Sequence, residues 1–168
     1  MGNPIRVGII RTGNRGTSCI GCQTAEQCRE LDITITALCD RSADRMQVAL
    51  AQINERAAPQ GVSFSPTLYQ DPLALIDDEK VDLIVITTPT AAHREAAIPA
   101  LQSGKKVYLD KPIAHTIEDA IAICEAERNT GNPMIMGFTR RYEEPWRKLH
   151  ELVADGVVGD VKMMLMRG

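Results

Sequence analysis

Short β-branched segments alternate with longer helix-forming segments along almost the whole chain, and this alternation constrains the fold more than any single motif. An apolar run of strand length at residues 81–87, for example, is followed by a helical pattern at residues 91–103. Strands that alternate with helices of about ten residues or more form a parallel sheet with helices on both faces. The apolar runs are continuous, which indicates strands buried on both sides. The sequence therefore predicts an α/β fold with a doubly wound parallel sheet.

The predicted elements follow one another in a regular order. Strands are predicted at residues 5–10, 33–39, 62–64, 81–87, 105–109, 134–138 and 161–166. Helices are predicted at residues 14–29, 43–57, 72–76, 91–103, 117–130 and 145–154. In the helix that begins after Thr116, the apolar face is predicted from Ile117, Ala120, Ile121 and Cys124.

Composition and charge exclude several classes of protein. Hydrophobic residues make up 44% of the 168 residues, and the net charge of −3 provides no basic surface for nucleic acid. The apolar runs are only of strand length and the first residues form no signal segment, so we expect no membrane association. The five cysteines are scattered and odd in number. Such cysteine usage is typical of a reducing compartment, and we expect a cytoplasmic protein.

Cys19 and Cys22 form a C-x-x-C pair on the predicted first helix. A redox pair or half of a zinc site is one interpretation of this spacing. The other is two small side chains that pack the helix against the sheet. Because no second Cys or His pair has the spacing of metal ligands, we expect packing and no metal site.

The turn between the first strand and the first helix has the composition of a phosphate-binding turn. Gly13 and Gly16 occupy the second and third glycine positions of a G-x-G-x-x-G pattern, and Arg11 occupies the first. Gly13 would let the backbone approach a pyrophosphate, and Gly16 would let helix and strand pack closely. Arg11 would need a positive φ, which arginine tolerates poorly, and its guanidinium would either neutralise the pyrophosphate or block it. An ordinary strand–turn–helix is the alternative. The candidate phosphate-binding residues are Arg11, Thr12, Gly13, Asn14 and Arg15.

A carboxylate ends the predicted second strand, where dinucleotide-binding sheets hold the adenosine ribose. Asp40 follows Gly16 at a spacing that suits a hydrogen bond to the ribose 2′-OH. A carboxylate there repels a 2′-phosphate, so the sequence predicts NAD rather than NADP. Arg41 and Arg45 weaken that preference, because either could pair with a phosphate. The alternative for Asp40 is a turn residue, but we take Asp40 and Arg41 as candidate cofactor ligands.

Small polar residues follow the strand predicted at residues 81–87. Ligands of an open parallel sheet bind beyond the carboxyl ends of its strands, in the crevice beside the first strand. Hydroxyl groups and a proline would line that crevice without filling it. For the histidine in the first turn of the next helix, a solvated or capping role is the alternative. The candidate cofactor-binding residues are Thr87, Thr88, Pro89, Thr90 and His93.

The segment Asp110-Lys111-Pro112 follows the strand predicted at residues 105–109. A lysine at this edge of the sheet can reach the reacting end of a bound cofactor, polarise the carbinol oxygen of a substrate and stabilise developing negative charge. Asp110 could orient the lysine, and Pro112 would fix the exit of the chain through a cis bond. The alternative is a surface charge. We predict that Lys111 is catalytic and that all three residues lie at the cofactor.

Taken together and in order, these motifs resemble the Gfo/Idh/MocA oxidoreductases, and their inositol dehydrogenases in particular. The segments that carry the resemblance are residues 13–16 (GNRG), 39–40 (CD), 88–93 (TPTAAH), 109–112 (LDKP), 137–142 (GFTRRY) and 156–161 (GVVGDV). Asp110 stands where the family more often has Glu. The resemblance implies a Rossmann-like domain, a nicotinamide cofactor and a sugar or polyol substrate. It also implies that Lys111 contacts the reacting hydroxyl and that Arg140 contacts the substrate.

The resemblance further implies a second, α+β domain that supplies a histidine as general base and usually the oligomer interface. We expect the dinucleotide-binding domain at residues 1–138, and a crossover helix with the first strand of that second domain at residues 139–168. No histidine follows His150, so we expect a truncated chain without the base and inactive alone. The last strand would be an unpaired apolar edge, which favours a homo-oligomer.

Three functions are consistent with these residues. The first is the cofactor-binding half of a dehydrogenase that passes hydride between a nicotinamide and a sugar or polyol. In it Lys111 polarises the oxygen while a base from elsewhere removes the proton. The second is a dinucleotide-binding or interaction module without chemistry, which Arg11 and the missing base favour. The third, suggested by the resemblance, is half of a glycosidase that uses bound NAD for transient oxidation.

Overall fold

A single parallel sheet forms the centre of the protein. The computed structural model describes residues 3–165, and within that part of the chain six strands pair in the order β3-β2-β1-β4-β5-β6. The strands are β1 Ile5–Ile10, β2 Ile33–Cys39, β3 Thr67–Tyr69, β4 Leu83–Ile86, β5 Lys106–Leu109 and β6 Met134–Met136. This is the strand order of dinucleotide-binding sheets. The predicted doubly wound parallel sheet is confirmed.

Helices connect the strands, and a side chain caps three of the described helices. They are α1 Cys22–Glu26, α2 Ala43–Ala57, α3 Pro72–Ile76, α4 His93–Gln102, α5 Ile117–Thr130 and α6 Glu144–Ala154. A π-helical segment, Arg15–Gly21, precedes α1, so the predicted first helix forms in two parts. The side chains of Ser42, Asp71 and Thr116 accept a backbone N–H at the starts of α2, α3 and α5.

The core consists of two hydrophobic clusters. Ile10 and Ile86 belong to one cluster, and Ile9 and Val85 to the other. Because successive strand residues point to opposite faces, the two clusters lie on opposite faces of the sheet. Cys22 belongs to the second cluster, with α1 and α2, so its thiol packs between helix and sheet.

Two predicted elements differ from the structure. The strand predicted at residues 62–64 forms instead at Thr67–Tyr69, because the Asn54 side chain bonds both the N–H and the carbonyl of Phe64. Of the strand predicted at residues 161–166, residues 161–165 form no regular structure, and residue 166 lies outside the described residues. A strand needs a partner for its backbone groups, and residues 161–165 pair with none. Association through this segment stays a prediction.

The buried face of α5 also differs from the predicted one. Ile123 is fully buried, whereas Ile117 and Ile121 are 75% and 51% exposed and Cys124 is exposed. Ile123 belongs to the core cluster that contains residues of β4, α4 and β5. The exposed residues Ile117, Ile121 and Cys124 lie about 100° or more around the helix from Ile123.

The chain divides into two compact units, Met1–Gly137 and Phe138–Gly168. The second contains a short 3-10 turn, Thr139–Arg141, and α6. Within it, the Arg140 guanidinium stacks on the Trp146 ring at 4.9 Å. None of the described helices combines the length and the apolar character that a membrane crossing requires.

An ion pair joins β1 to the residue before β4. The Arg6 guanidinium donates to both oxygens of Asp82 at 2.9 and 2.7 Å, and the Arg6 N–H donates to the same carboxylate. The hydrogen bonds from the Arg6 side chain lower the pKa of Asp82 to about 2. Both side chains are about two-fifths exposed, so solvent screens the pair.

We expect this ion pair to make the free energy of unfolding depend on pH in the acidic range. A carboxyl whose folded pKa is depressed stabilises the fold above its ordinary value of 3.8, and that contribution is lost as the pH falls through about 2. Urea denaturation midpoints should therefore fall less between about pH 4 and about pH 2 in Asp82→Asn than in the native protein. Asp77→Asn, at an exposed carboxylate, is the control and should follow the native curve. Identical acid dependence in Asp82→Asn would contradict the assignment.

Candidate functional site

A cavity opens at the carboxyl edge of the sheet, beside the ends of β1, β2 and β4. Its volume is about 360 Å³. Five of the predicted cofactor-binding residues line it: Arg11, Asp40, Arg41, Thr88 and Pro89. Further walls come from the start of α3 and the first turn of α4, including Gln70, Asp71 and Glu95, which the sequence analysis did not select. The turn at Gln70 was missed because the preceding strand was predicted too early.

Arg11 adopts the backbone conformation expected at the first glycine position. Its φ is 80°, in the region that favours glycine. Its N–H donates to the Cys39 carbonyl at 2.7 Å, and its own carbonyl accepts from the Thr87 hydroxyl at 2.8 Å. Its Nε lies 3.6 Å from the Asp40 carboxylate. The guanidinium is therefore held in the cavity wall at the end of β2.

The two glycines of the turn lie in different surroundings, and both match the prediction: Gly16 is closely packed, and Gly13 is open. A Cβ at Gly16 would overlap the Arg11 carbonyl oxygen and lie 2.7 Å from the Thr87 hydroxyl, so this position requires glycine. At Gly13 the nearest atom to such a Cβ is 4.0 Å away, so space is open above the backbone. The Thr17 N–H donates to the Gly13 carbonyl, which starts the helical segment. The turn thus leaves room for a group to approach at Gly13.

Asp40 is the most completely bonded polar group of the site. Its side chain is fully buried, and its oxygens accept from the Thr12 N–H at 3.0 Å, the Ser42 N–H at 3.1 Å and the Arg45 guanidinium at 3.0 Å. The Thr12 hydroxyl is a fourth, longer donor at 3.3 Å. Burial raises the pKa of Asp40, but the two backbone hydrogen bonds and the cations Arg45 and Arg11 outweigh it and lower the pKa. A carboxylate has about four acceptor positions, and here protein donors use all of them.

Arg15 does not point to the glycine turn in which it was predicted to act. Its guanidinium donates to both oxygens of Asp110, at 2.9 and 3.1 Å. This hydrogen-bonded pair raises the pKa of Arg15. Asp110 was predicted to orient Lys111, but its carboxylate binds Arg15 instead. The Lys111–Pro112 bond is cis, as predicted, and the Lys111 side chain is exposed, with no hydrogen bond or ion pair inside residues 3–165.

His93 bridges two backbone segments. The imidazole is 1% exposed, with Nδ1 at 3.2 Å from the Ile113 carbonyl and Nε2 at 3.0 Å from the Thr88 carbonyl. The residue is therefore neither solvated nor a helix cap. Thr90 begins a short 3-10 turn before α4, and no side chain caps either element.

One buried hydroxyl in the cavity wall lacks a partner. Among the described residues, Thr88 Oγ1 is inaccessible to solvent and makes no hydrogen bond. An unsatisfied buried hydroxyl is unfavourable, and native proteins rarely leave one without a functional reason. Because Thr88 lines the cavity, rotation of its side chain would bring this hydroxyl to a ligand bound there. By contrast, the Thr87 hydroxyl is bonded to the Ile10 and Arg11 carbonyls.

Arg140 belongs to the second compact unit. Besides stacking on Trp146, it lines a cavity of about 570 Å³ within that unit, together with Arg141, Arg147 and His150. The predicted substrate contact therefore lies in a cationic and aromatic environment.

Comparison with known proteins supports this geometry. Residues 5–138 match the Gfo/Idh/MocA family, described as an oxidoreductase family with an NAD-binding Rossmann fold. Inositol 2-dehydrogenase of Salmonella typhimurium is 32% identical over 133 residues, which are 79% of this chain and 37% of that protein. Inositol 2-dehydrogenase/D-chiro-inositol 3-dehydrogenase of Lactiplantibacillus plantarum is 30% identical over 163 residues, which are 96% of this chain and 43% of that protein.

A solved structure gives the same fold. Scyllo-inositol dehydrogenase from Lactobacillus casei, with bound NAD(H) and scyllo-inositol, superposes with a TM-score of 0.77 and 23% identity, covering 94% of this chain and 43% of that one. The chain thus spans less than half the length of these relatives. The family model, the identities and the fold agree, and the chain belongs to the Gfo/Idh/MocA oxidoreductase family, of which it carries the NAD-binding Rossmann domain.

Proposed function

We propose that this chain is the cofactor-binding part of an NAD-dependent dehydrogenase that acts on an inositol or a related polyol or sugar. The observation that carries the proposal is the cavity at the carboxyl edge, which is lined by Arg11 of the glycine turn, by Asp40 and by Thr88 with its unpaired hydroxyl. The inositol dehydrogenases among its relatives support the substrate class. All five cysteines are free, which supports a reducing, cytoplasmic location.

The residues present fit a nicotinamide dinucleotide. The cavity, with the Thr88 hydroxyl and the arginines beside Asp40, would hold the adenosine half. The open backbone at Gly13 and the N–H groups that follow would hold the pyrophosphate. When bound, the nicotinamide ring supplies the chemistry of accepting or donating a hydride.

Lys111 is the group that we assign to the substrate oxygen. Its ammonium is exposed and unpaired within the described residues, at the end of β5. Such a cation would polarise a carbinol oxygen and stabilise the charge that develops as the hydroxyl proton leaves. We assign the removal of that proton to a base outside this chain. The contact between Arg140 and the substrate, which the family resemblance implies, stays a prediction.

Binding of the cofactor is the first test. The chain should bind NADH with a dissociation constant between about 1 µM and about 1 mM, measured by calorimetry. Thr88→Val should weaken NADH binding about fivefold and raise the free energy of unfolding by about 1 kcal/mol, because it removes an unsatisfied hydroxyl. Thr36→Val removes a hydroxyl in the middle of β2 that is bonded to the Lys80 carbonyl, outside the cavity lining; it is the control and should leave NADH affinity unchanged. Absence of saturable NADH binding would refute the proposed function.

The two glycines of the turn give a second test, because their surroundings differ. Gly16→Ala should destabilise the fold by about 1–3 kcal/mol, since the added methyl overlaps the Arg11 carbonyl. Gly13→Ala should leave the urea midpoint unchanged but weaken NADH binding at least tenfold, because the methyl occupies the space proposed for the pyrophosphate. Equal NADH affinity in Gly13→Ala and the native protein would place the pyrophosphate elsewhere.

We further propose that the negative charge of Asp40 favours NAD over NADP. Three cations, Arg11, Arg41 and Arg45, surround the end of β2, and Asp40 is the buried charge that opposes them. A 2′-phosphate placed there would meet both the arginines and the carboxylate. The bound NAD(H) in the Lactobacillus casei structure supports the same preference.

Removing that charge should change the preference between cofactors. Asp40→Asn should improve the affinity for NADPH relative to NADH by about fivefold or more, because the arginines would then act on the phosphate unopposed. Calorimetric titrations with both cofactors measure the ratio. Asp44→Asn removes an exposed carboxylate in the first turn of α2 and should leave the ratio unchanged. An unchanged ratio in Asp40→Asn would make Asp40 a purely structural group.

A further inference from the structure

The turn that carries Lys111 is held on both sides of the lysine. On the preceding residue, the Asp110 carboxylate accepts two hydrogen bonds from Arg15, which comes from the start of the first helical segment, 95 residues earlier in the chain. Two residues after the lysine, the Ile113 carbonyl lies 3.2 Å from Nδ1 of His93, on α4. Lys111 thus lies between two contacts with other parts of the fold. One is with the first helical segment, and the other is with α4.

The two attachments are shielded from water to different degrees. His93 is 1% exposed, whereas the side chains of the ion pair are 14% (Asp110) and 32% (Arg15) exposed. A two-point pair between a guanidinium and a carboxylate fixes orientation as well as distance. The second ring nitrogen of His93 lies 3.0 Å from the Thr88 carbonyl, so the imidazole stands between the Lys111 turn and the wall of the cavity. A neutral ring donates to one of these two carbonyls.

The chain after β6 packs directly on the ion pair. A Cβ at Gly137 would lie 2.8 Å from Asp110 Oδ1 and 2.5 Å from the Tyr108 hydroxyl. The Gly137 N–H donates to the Leu109 carbonyl at 2.8 Å. The Asp110 carboxylate is therefore confined from this side as well, and its pairing with Arg15 is built into the packing.

We propose that Arg15 and His93 are positioning residues that set where Lys111 stands relative to the bound nicotinamide. This inference rests on the proposed function. Arg15 donates to Asp110 through Nε and one terminal nitrogen, and it is this pair, rather than a contact with the cofactor, that we assign to it. The ring nitrogens of His93 face the Ile113 and Thr88 carbonyls. Lys111 itself has no partner within the described residues, so the backbone on either side of it is what determines its place.

The proposal separates two kinds of binding. Arg15, Asp110 and Lys111 do not belong to the lining of the cavity assigned to the adenosine half. Breaking either contact should therefore change how Lys111 responds to bound NADH, while the affinity for AMP stays nearly the same. A general loss of structure would instead weaken both.

The experiment follows the Lys111 side chain by NMR after ¹³C-methylation of the lysines, with Lys111→Arg to assign its signal. In the native protein, saturating NADH should shift the Lys111 signal and AMP should not. In Arg15→Gln and in His93→Gln the NADH-induced shift should fall by about half or more, while the dissociation constant for AMP changes less than about twofold. Arg94→Gln breaks a pair of similar length with Asp119 on the protein surface, and should behave as the native protein.

Two further variants keep the test decisive. Asp110→Asn breaks the same pair from the side of β5 and serves if Arg15→Gln fails to fold, as judged by circular dichroism. If the two residues act only through each other, the double variant Arg15→Gln/Asp110→Asn should lose no more of the shift than either single variant.

The outcomes distinguish this proposal from the proposed function. A full NADH-induced Lys111 shift in the Arg15 and His93 variants, or a parallel loss of AMP binding, would overturn the positioning role alone. NADH that binds the native protein without moving the Lys111 signal would do the same. No NADH binding at all would overturn the proposed function, and with it this inference.

Discussion

The arrangement of the candidate site depends on the buried Asp40 carboxylate. It accepts hydrogen bonds from the N–H groups of Thr12 and Ser42, which belong to the turns after β1 and β2. A buried N–H without a partner is unfavourable by about 1–3 kcal/mol, so replacing the carboxylate with an apolar group would release both turns at once. The charge itself is tolerable inside the protein because Arg45 and Arg11 lie beside it.

A second carboxylate of the site, half-buried, follows the same principle on the other side of β1 and β4. Asp110 follows β5 and binds Arg15 from the first helical segment, so the chain beyond β5, like the chain beyond β2, is held by a contact between an acid and an arginine. Both acids organise the protein, and protein donors use all the acceptor positions of Asp40. The Thr88 hydroxyl and the Lys111 ammonium are two groups that have no protein partner within the described residues. The hydrogen bonds that hold the site together thus form without a ligand, while unpaired groups remain beside the cavity and at the end of β5. Such a site is organised before its ligand binds.

Local pattern was enough to predict the sheet, its helices and the positive φ of Arg11. These features depend on apolar runs, caps and glycine spacing, which neighbouring residues encode. The sequence could not show that Phe64 is held by a side chain of α2, which moved β3 toward the C-terminus. The sequence also could not show the partners of Arg15 and His93, which were predicted to bind the cofactor. Those partners, Asp110 and the Ile113 carbonyl, come from tertiary contacts that no local spacing encodes.

The arginine at the first glycine position is explained by charge rather than by backbone freedom. A left-handed conformation costs a non-glycine residue about 1–2 kcal/mol, and glycine would form the same backbone hydrogen bonds to Cys39 and Thr87 without that cost. What glycine cannot supply is the guanidinium 3.6 Å from Asp40. The interaction with the carboxylate that orders the turn therefore offsets part of the unfavourable φ of Arg11, and the departure from the glycine pattern is compatible with a phosphate-binding role.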